Sequence, residues 1–204
     1  MNVIVITPPK CIPKETLVIK SLFDSGLQTL HLRKPGLKPD GFKRILDDIP
    51  QKYHSKIMLH SCHEVSKEYA VKGLHYPSAI RPPTPINHLE DSLLQQSTSF
   101  HTLEEVLREG GWGEGLSYAF LSPIFNSISK QGYLAAAFEE MQLEQAVRKS
   151  SVPVIALGGV SVDKIPFLHR MGFSGIATIG TIWESVDPVA SFEALQSECC
   201  KLAV

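Results

Sequence analysis

The chain has 204 residues, of which 43% are apolar and 20% charged, and its formal net charge is −1. That is enough apolar material for one sizeable core, so residues 1–204 are expected to fold as a single domain. The near-neutral charge, with Lys and Arg scattered along the chain, argues against nucleic acid as a partner, and no apolar run reaches the roughly 20 residues of a membrane helix. The first residues lack the basic start and small-residue cleavage site of a signal peptide, so the cytoplasm is the expected location. Cys11, Cys62, Cys199 and Cys200 follow no framework spacing and read as reduced thiols.

The chain opens on MNVIVIT (1–7), a β-branched run stopped by Pro8-Pro9 and read as a buried strand. Residues 13–25 place Leu17, Leu22 and Phe23 near helical spacing, with Gly26 as the stop. The same alternation recurs: strand 27–33 then helix 38–49, strand 56–61 then helix 64–72, and strand 73–77 followed by a proline-rich turn and a weakly helical piece at 86–91. Strand 93–100 leads into a helix with a capping box of Thr102 and Glu105. Strand 117–125 precedes a long loop and helix 139–149, strand 152–159 precedes helix 162–171, and strand 174–180 precedes helix 188–202. Continuous apolar strands alternating with helices imply a parallel sheet covered by helices. Eight such units fit a closed (β/α)8 TIM barrel of the α/β class. A doubly wound open sheet is the alternative, but the turn after the first strand is Thr-Pro-Pro-Lys, where that fold carries a glycine-rich turn.

In such a barrel ligands bind at the C-terminal ends of the strands. Alternation puts His31 and Arg33 on one face of strand two, and Ser97, Ser99 and His101 on one face of strand five. SYAFLSPIFNSISK (117–130) carries an apolar strand into the hydroxyls of Ser127 and Ser129 and the cation of Lys130. Gly158-Gly159 after strand seven, and Thr178 to Gly180 after strand eight, stand where barrels commonly hold phosphate with bare backbone N–H groups. A small phosphorylated ligand is therefore expected across the mouth. His31, His60, Cys62, His63 and His75 also suggest a metal site, since imidazole and thiolate are good zinc ligands. The H-x-C-H spacing belongs to no familiar zinc motif, however, alternation separates His60 from His63, and no Asp stands nearby. No metal is expected there, the histidines being solvated or hydrogen-bonded.

VIVIT, HLRKP, GLHYP, YAFLSPIFNSISK, PVIALGGV and GFSGIATIGTIW together resemble, in order and spacing, the thiamin phosphate synthase/TenI family of small TIM barrels. The resemblance covers essentially the whole chain and implies a thiazole phosphate as ligand. Arg33 matches the family arginine that contacts the diphosphate of the second substrate, and Lys130 the lysine after the hydroxyl pair. Ser127 and Ser129 stand where threonines are usual, Ser99 matches a strand-five serine, and Gly158, Gly159, Thr178 and Gly180 match the thiazole phosphate site. In the synthase branch, thiazole phosphate is coupled to an aminopyrimidine methyl diphosphate with release of magnesium-bound pyrophosphate. Both carboxylate magnesium ligands are absent here, with His60-Ser61 in place of Asn-Asp and Ile80 in place of an Asp. His31 replaces a glutamine, and Pro35 falls where a second diphosphate lysine is expected, with Lys34 one place off.

Those departures are typical of the TenI branch, whose thiazole tautomerases move a proton within carboxythiazole phosphate. Imidazole suits that step, but Pro123 stands where the tautomerase histidine lies. His101 is the first candidate for the proton-transfer role, His31 the second, with Lys130 closing over the ligand. The expectation is a TenI-like enzyme with no cofactor, magnesium entering only if the chain is a true synthase. The synthase and a non-catalytic thiazole phosphate binder are the alternatives, a zinc-dependent barrel hydrolase is more distant, and a homo-oligomer is left open.

Overall fold

The structure is a computed structural model that describes residues 1–82, 94–108, 115–126 and 138–202. Eight parallel strands close into a barrel in chain order, β1 (Asn2–Ile6), β2 (Leu30–Leu32), β3 (Ile57–Leu59), β4 (Gly73–Tyr76), β5 (Gln95–Phe100), β6 (Tyr118–Leu121), β7 (Val154–Leu157) and β8 (Gly175–Thr178), with β8 paired back to β1. The helices are α1 (Glu15–Asp24), α2 (Pro39–Asp47), α3 (Leu103–Arg108), α4 (Glu140–Lys149), α5 (Ile165–Arg170), α6 (Gly180–Trp183) and α7 (Pro188–Lys201). The (β/α)8 architecture expected from the alternation is the one observed. No helix among the described residues is long and apolar enough to cross a membrane.

Alternation along each strand divides the core in two. Val5, Leu30, Leu32, Ile57, Leu59 and Phe100 face outward and pack with helix residues such as Leu22, Phe42 and Leu195. Ile4, Ile6, Met58, Tyr118, Phe120, Ile155 and Ala177 face inward and fill the barrel. The inward positions of β2, β4 and β5 are polar instead: His31, His75, Ser97 and Ser99. One side of the barrel interior is therefore aliphatic and the other carries imidazoles and hydroxyls.

Some elements differ from the sequence pattern. Residues 64–72 form a 3-10 turn at His63–Lys67 rather than a full helix; Cys62 enters it with φ 53°, and the Ser66 hydroxyl donates to the His63 carbonyl at 2.7 Å. Such local side-chain bonds compete with helix propagation. The helix expected at 162–171 is split into a 3-10 turn (Val162–Lys164) and α5, because Pro166 lacks an N–H and fits only the first turn of a helix. The capping box holds with a shift of one residue: Glu105 N–H donates to Thr102 Oγ1 at 3.1 Å, while the Glu105 carboxylate accepts from His101 N–H at 2.7 Å. The helical piece at 86–91 lies outside the described residues, as do Ser127, Ser129 and Lys130.

Candidate active site

Strand register brings distant residues together. His31 pairs laterally with Met58 and Ile6, His75 with Ser97, Ser97 with Tyr118, and Ser99 with Phe120. His60, two residues beyond Met58, points inward on the same count. The result is one buried network. His31 Nδ1 lies 2.7 Å from His60 Nε2, and His31 Nε2 lies 2.5 Å from the Tyr118 hydroxyl. His75 Nδ1 and Nε2 lie 2.9 and 3.1 Å from the hydroxyls of Ser97 and Ser99. The rings of His60 and His75 stack at 4.0 Å.

Burial, followed by the mutual repulsion of the would-be cations, holds His31 and His60 well below the ordinary imidazole range, and burial pushes His75 down to about 3. All three are neutral at pH 7. Between about pH 6.5 and 3 the unfolded chain binds a proton at His75 that the folded chain refuses, so stability is present above that window and is lost as the pH falls through it. Urea unfolding in EDTA buffer should show a loss of roughly 2 kcal/mol between pH 8 and 5 from His75 alone. A flat profile over that range would show the rings to be solvated.

Above the network a cavity of about 790 Å³ opens at the C-terminal ends of the strands. Arg33, Ser99, His101, Gly158, Gly159, Thr178 and Gly180 all line it. His31 does not; it is fully buried beneath His60 and His75, which do. Those two, together with Phe120 and Trp183, were not singled out as ligand-binding from sequence, although the period-two count that selected His31 also selects His60 and His75. A second depression, of about 710 Å³, lies between the ends of α4 and α5 at the opposite end of the barrel. It is wide open and edged by Arg148, which is already bonded to Glu144 and the Arg170 carbonyl.

Two features of the mouth bear on anions. Burial lowers the pKa of Arg33, and among the described residues no carboxylate pairs with it. Lys34, by contrast, turns away from the barrel: its ammonium is buried against Glu15 at 2.6 Å and donates to the carbonyls of Pro8 and Lys10 at 2.8 and 3.1 Å. The glycine pair has a backbone reason of its own. Gly158 and Gly159 have φ of 102° and 61°, and a Cβ on Gly159 would collide with the Asn126 carbonyl and come within 2.9 Å of Phe125 Cβ. The segment after β6 therefore lies directly on this turn.

His101 is exposed at the rim, and its Nδ1 lies 2.9 Å from the Ser122 carbonyl oxygen. A carbonyl only accepts, so Nδ1 carries a proton, and in the neutral ring Nε2 is the nitrogen with the free lone pair. His63 and Cys62 are elsewhere: His63 Nε2 donates to the His75 carbonyl at 3.1 Å, and Cys62 Sγ to the Leu37 carbonyl at 3.4 Å.

The profile of the family described as thiamine monophosphate synthase matches residues 3–182. The chain belongs to that family. A putative thiamine-phosphate synthase 2 of Aquifex aeolicus is 24% identical over 169 residues, covering 81% of this chain and 88% of its own. The thiamine-phosphate synthase of Klebsiella pneumoniae is 23% identical over 183 residues, covering 87% and 84%. Among solved structures, a thiamine phosphate pyrophosphorylase from Bacteroides thetaiotaomicron superposes with a TM-score of 0.79 at 28% identity, over 100% of this chain and 98% of the other. That from Pyrococcus furiosus gives 0.82 at 19% identity, which speaks to the fold.

Family membership makes this a thiamin-pathway protein and raises the question of magnesium, which takes oxygen donors, chiefly carboxylates and phosphates. The residues here do not fit it. His60 offers nitrogen, Ile80 has no donor and is 54% exposed, and the one carboxylate lining the cavity among the described residues, Glu184, lies on the far side beyond α6.

Proposed function

We propose that this chain binds a thiazole phosphate across the barrel mouth and moves a proton within carboxythiazole phosphate without magnesium, with His101 as the general acid/base. The phosphate would lie against the backbone of Gly158, Gly159, Thr178 and Gly180, where the first N–H groups of α6 have no intrahelical acceptor. Arg33 would offset the ligand's remaining negative charge. Nε2 of His101 would take a proton from one ring position, and the resulting imidazolium would return it to another, so no co-reactant is consumed. Ser99 would position the ligand, and Ser127, Ser129 and Lys130 would close over it, on the strength of the family resemblance alone.

The observation that carries this reading is the His101–Ser122 hydrogen bond. The imidazole missing at Pro123 is supplied from the end of β5, attached to the residue next to that proline. His31, the second candidate, could exchange protons with a ligand only through His60. The names of the relatives favour the second reading, a synthase coupling thiazole phosphate to an aminopyrimidine methyl diphosphate. The misfit of the magnesium positions weighs against it. A binder without chemistry is the third, and cytoplasmic residence goes with all of them.

The test is one set of incubations. With carboxythiazole phosphate in EDTA, tautomer conversion is expected at enzyme-dependent rates. With thiazole phosphate, aminopyrimidine methyl diphosphate and magnesium, no thiamin phosphate is expected. Thiamin phosphate formation would overturn the proposal in favour of the synthase; binding of thiazole phosphate with neither reaction would leave the chain a binder.

A further inference from the structure

The proton-transfer reading leaves a deeply buried polar cluster unused. His31, His60 and His75 are 0%, 7% and 1% exposed. Buried polar groups are almost always partnered, and every ring nitrogen of the three has a polar neighbour except Nδ1 of His60, which is buried and has none. No choice of tautomer repairs this. If His31 donates from Nδ1 to His60 Nε2, the proton of His60 sits on Nδ1 without an acceptor. If His60 donates from Nε2, a bare lone pair is buried at Nδ1. Either arrangement carries the desolvation cost of an unsatisfied group.

One nitrogen from each ring lies within 4.8 Å of the other two. A tetrahedral ion with bonds of about 2.0–2.1 Å holds its nitrogens roughly 3.3 Å apart, so ligation requires ring rotations rather than a rebuilt backbone. Outer partners of the kind that orient metal-binding imidazoles are in place for two of the three rings, with Tyr118 on His31 Nε2 and Ser97 on His75 Nδ1.

We propose that His31, His60 and His75 form a binding centre for one borderline divalent transition-metal ion, with zinc as the reference case, in the floor of the cavity. Three imidazoles without a carboxylate suit zinc-like ions and not magnesium. His60 and His75 line the cavity while His31 lies beneath them, so the open fourth position faces the ligand space and takes water or an anionic group. Three protein ligands with an open fourth position is the arrangement of catalytic rather than structural zinc. The centre depends neither on thiazole phosphate nor on His101.

Untagged protein, stripped with EDTA and dialysed, is titrated with Co²⁺ and followed by visible absorption and metal analysis. One equivalent should bind, with the absorption of nitrogen-ligated cobalt, and zinc should displace it. His60→Asn and His75→Asn should each weaken uptake by more than about tenfold, the loss that even outer partners of metal ligands can bring. His63→Asn, whose ring lies apart, should not. Should either variant misfold by far-UV circular dichroism, imidazole nitrogen NMR of the wild-type chain on zinc addition replaces it, with three rings expected to shift. Uptake well below one equivalent, uptake unchanged in both variants, sulfur-to-cobalt charge-transfer bands, or unshifted rings would overturn the proposal.

Discussion

His101→Ala is expected to lower the turnover of carboxythiazole phosphate by about 10²–10⁴-fold, which corresponds to about 2.7–5.4 kcal/mol of barrier. The affinity for thiazole phosphate should change little, because the proposed phosphate contacts lie across the mouth at the ends of β7 and β8. The variant should fold: the side chain is exposed, and its backbone N–H keeps the Glu105 carboxylate. Exchange of the ring proton in deuterated water, followed by NMR, separates chemistry from binding. Unchanged exchange in His101→Ala would remove the residue from the reaction. Ser122 holds His101 chiefly through its backbone carbonyl at 2.9 Å, its hydroxyl lying farther off at 3.4 Å from the same nitrogen, so substituting the Ser122 side chain should have a smaller effect.

Glu15→Ala is expected to cost about 3–5 kcal/mol of folding stability, the cost of removing one partner from a buried ion pair. Lys34 is 1% exposed, and without Glu15 its ammonium keeps only the carbonyls of Pro8 and Lys10. The double replacement Glu15→Leu with Lys34→Met should recover most of the loss, since a buried pair exchanged for apolar packing is often neutral. Urea unfolding of the three proteins measures this. A loss below about 1 kcal/mol in Glu15→Ala would mean that water reaches the ammonium. The pair also fixes the turn after β1, whose Pro8 and Pro9 line the cavity, so ligand affinity should weaken alongside stability.

Period-two alternation made much of this site legible. It selected His31, Ser97 and Ser99 as inward-facing, and it explains Lys34, which follows Arg33 and so points the other way. What it could not give is register across strands. That His31, His60 and His75 meet, or that His101 reaches the carbonyl after β6, depends on how strands far apart in sequence slide against one another. Local competition was equally hidden: residues 64–72 look helical, yet the Ser66 hydroxyl and the left-handed Cys62 hold a tighter turn. The glycine pair after β7 reads in sequence as an anion site or an ordinary turn, whereas its conformation is also demanded by the segment lying on it. Sequence does not distinguish the two demands.

Glu105 ties more together than its place on an outer helix suggests. Its carboxylate holds the backbone of His101 and, at 2.8 Å, the guanidinium of Arg81, which in turn bonds the Ser99 carbonyl and lies 5.5 Å from the Phe100 ring. The wall after β4, the strand end carrying Ser99 and the mounting of His101 are thus tied to one another. For anyone redesigning this barrel, the rim is not evenly modular. Grafting a new β4 connection without Arg81 would detune the imidazole at the end of the neighbouring strand β5.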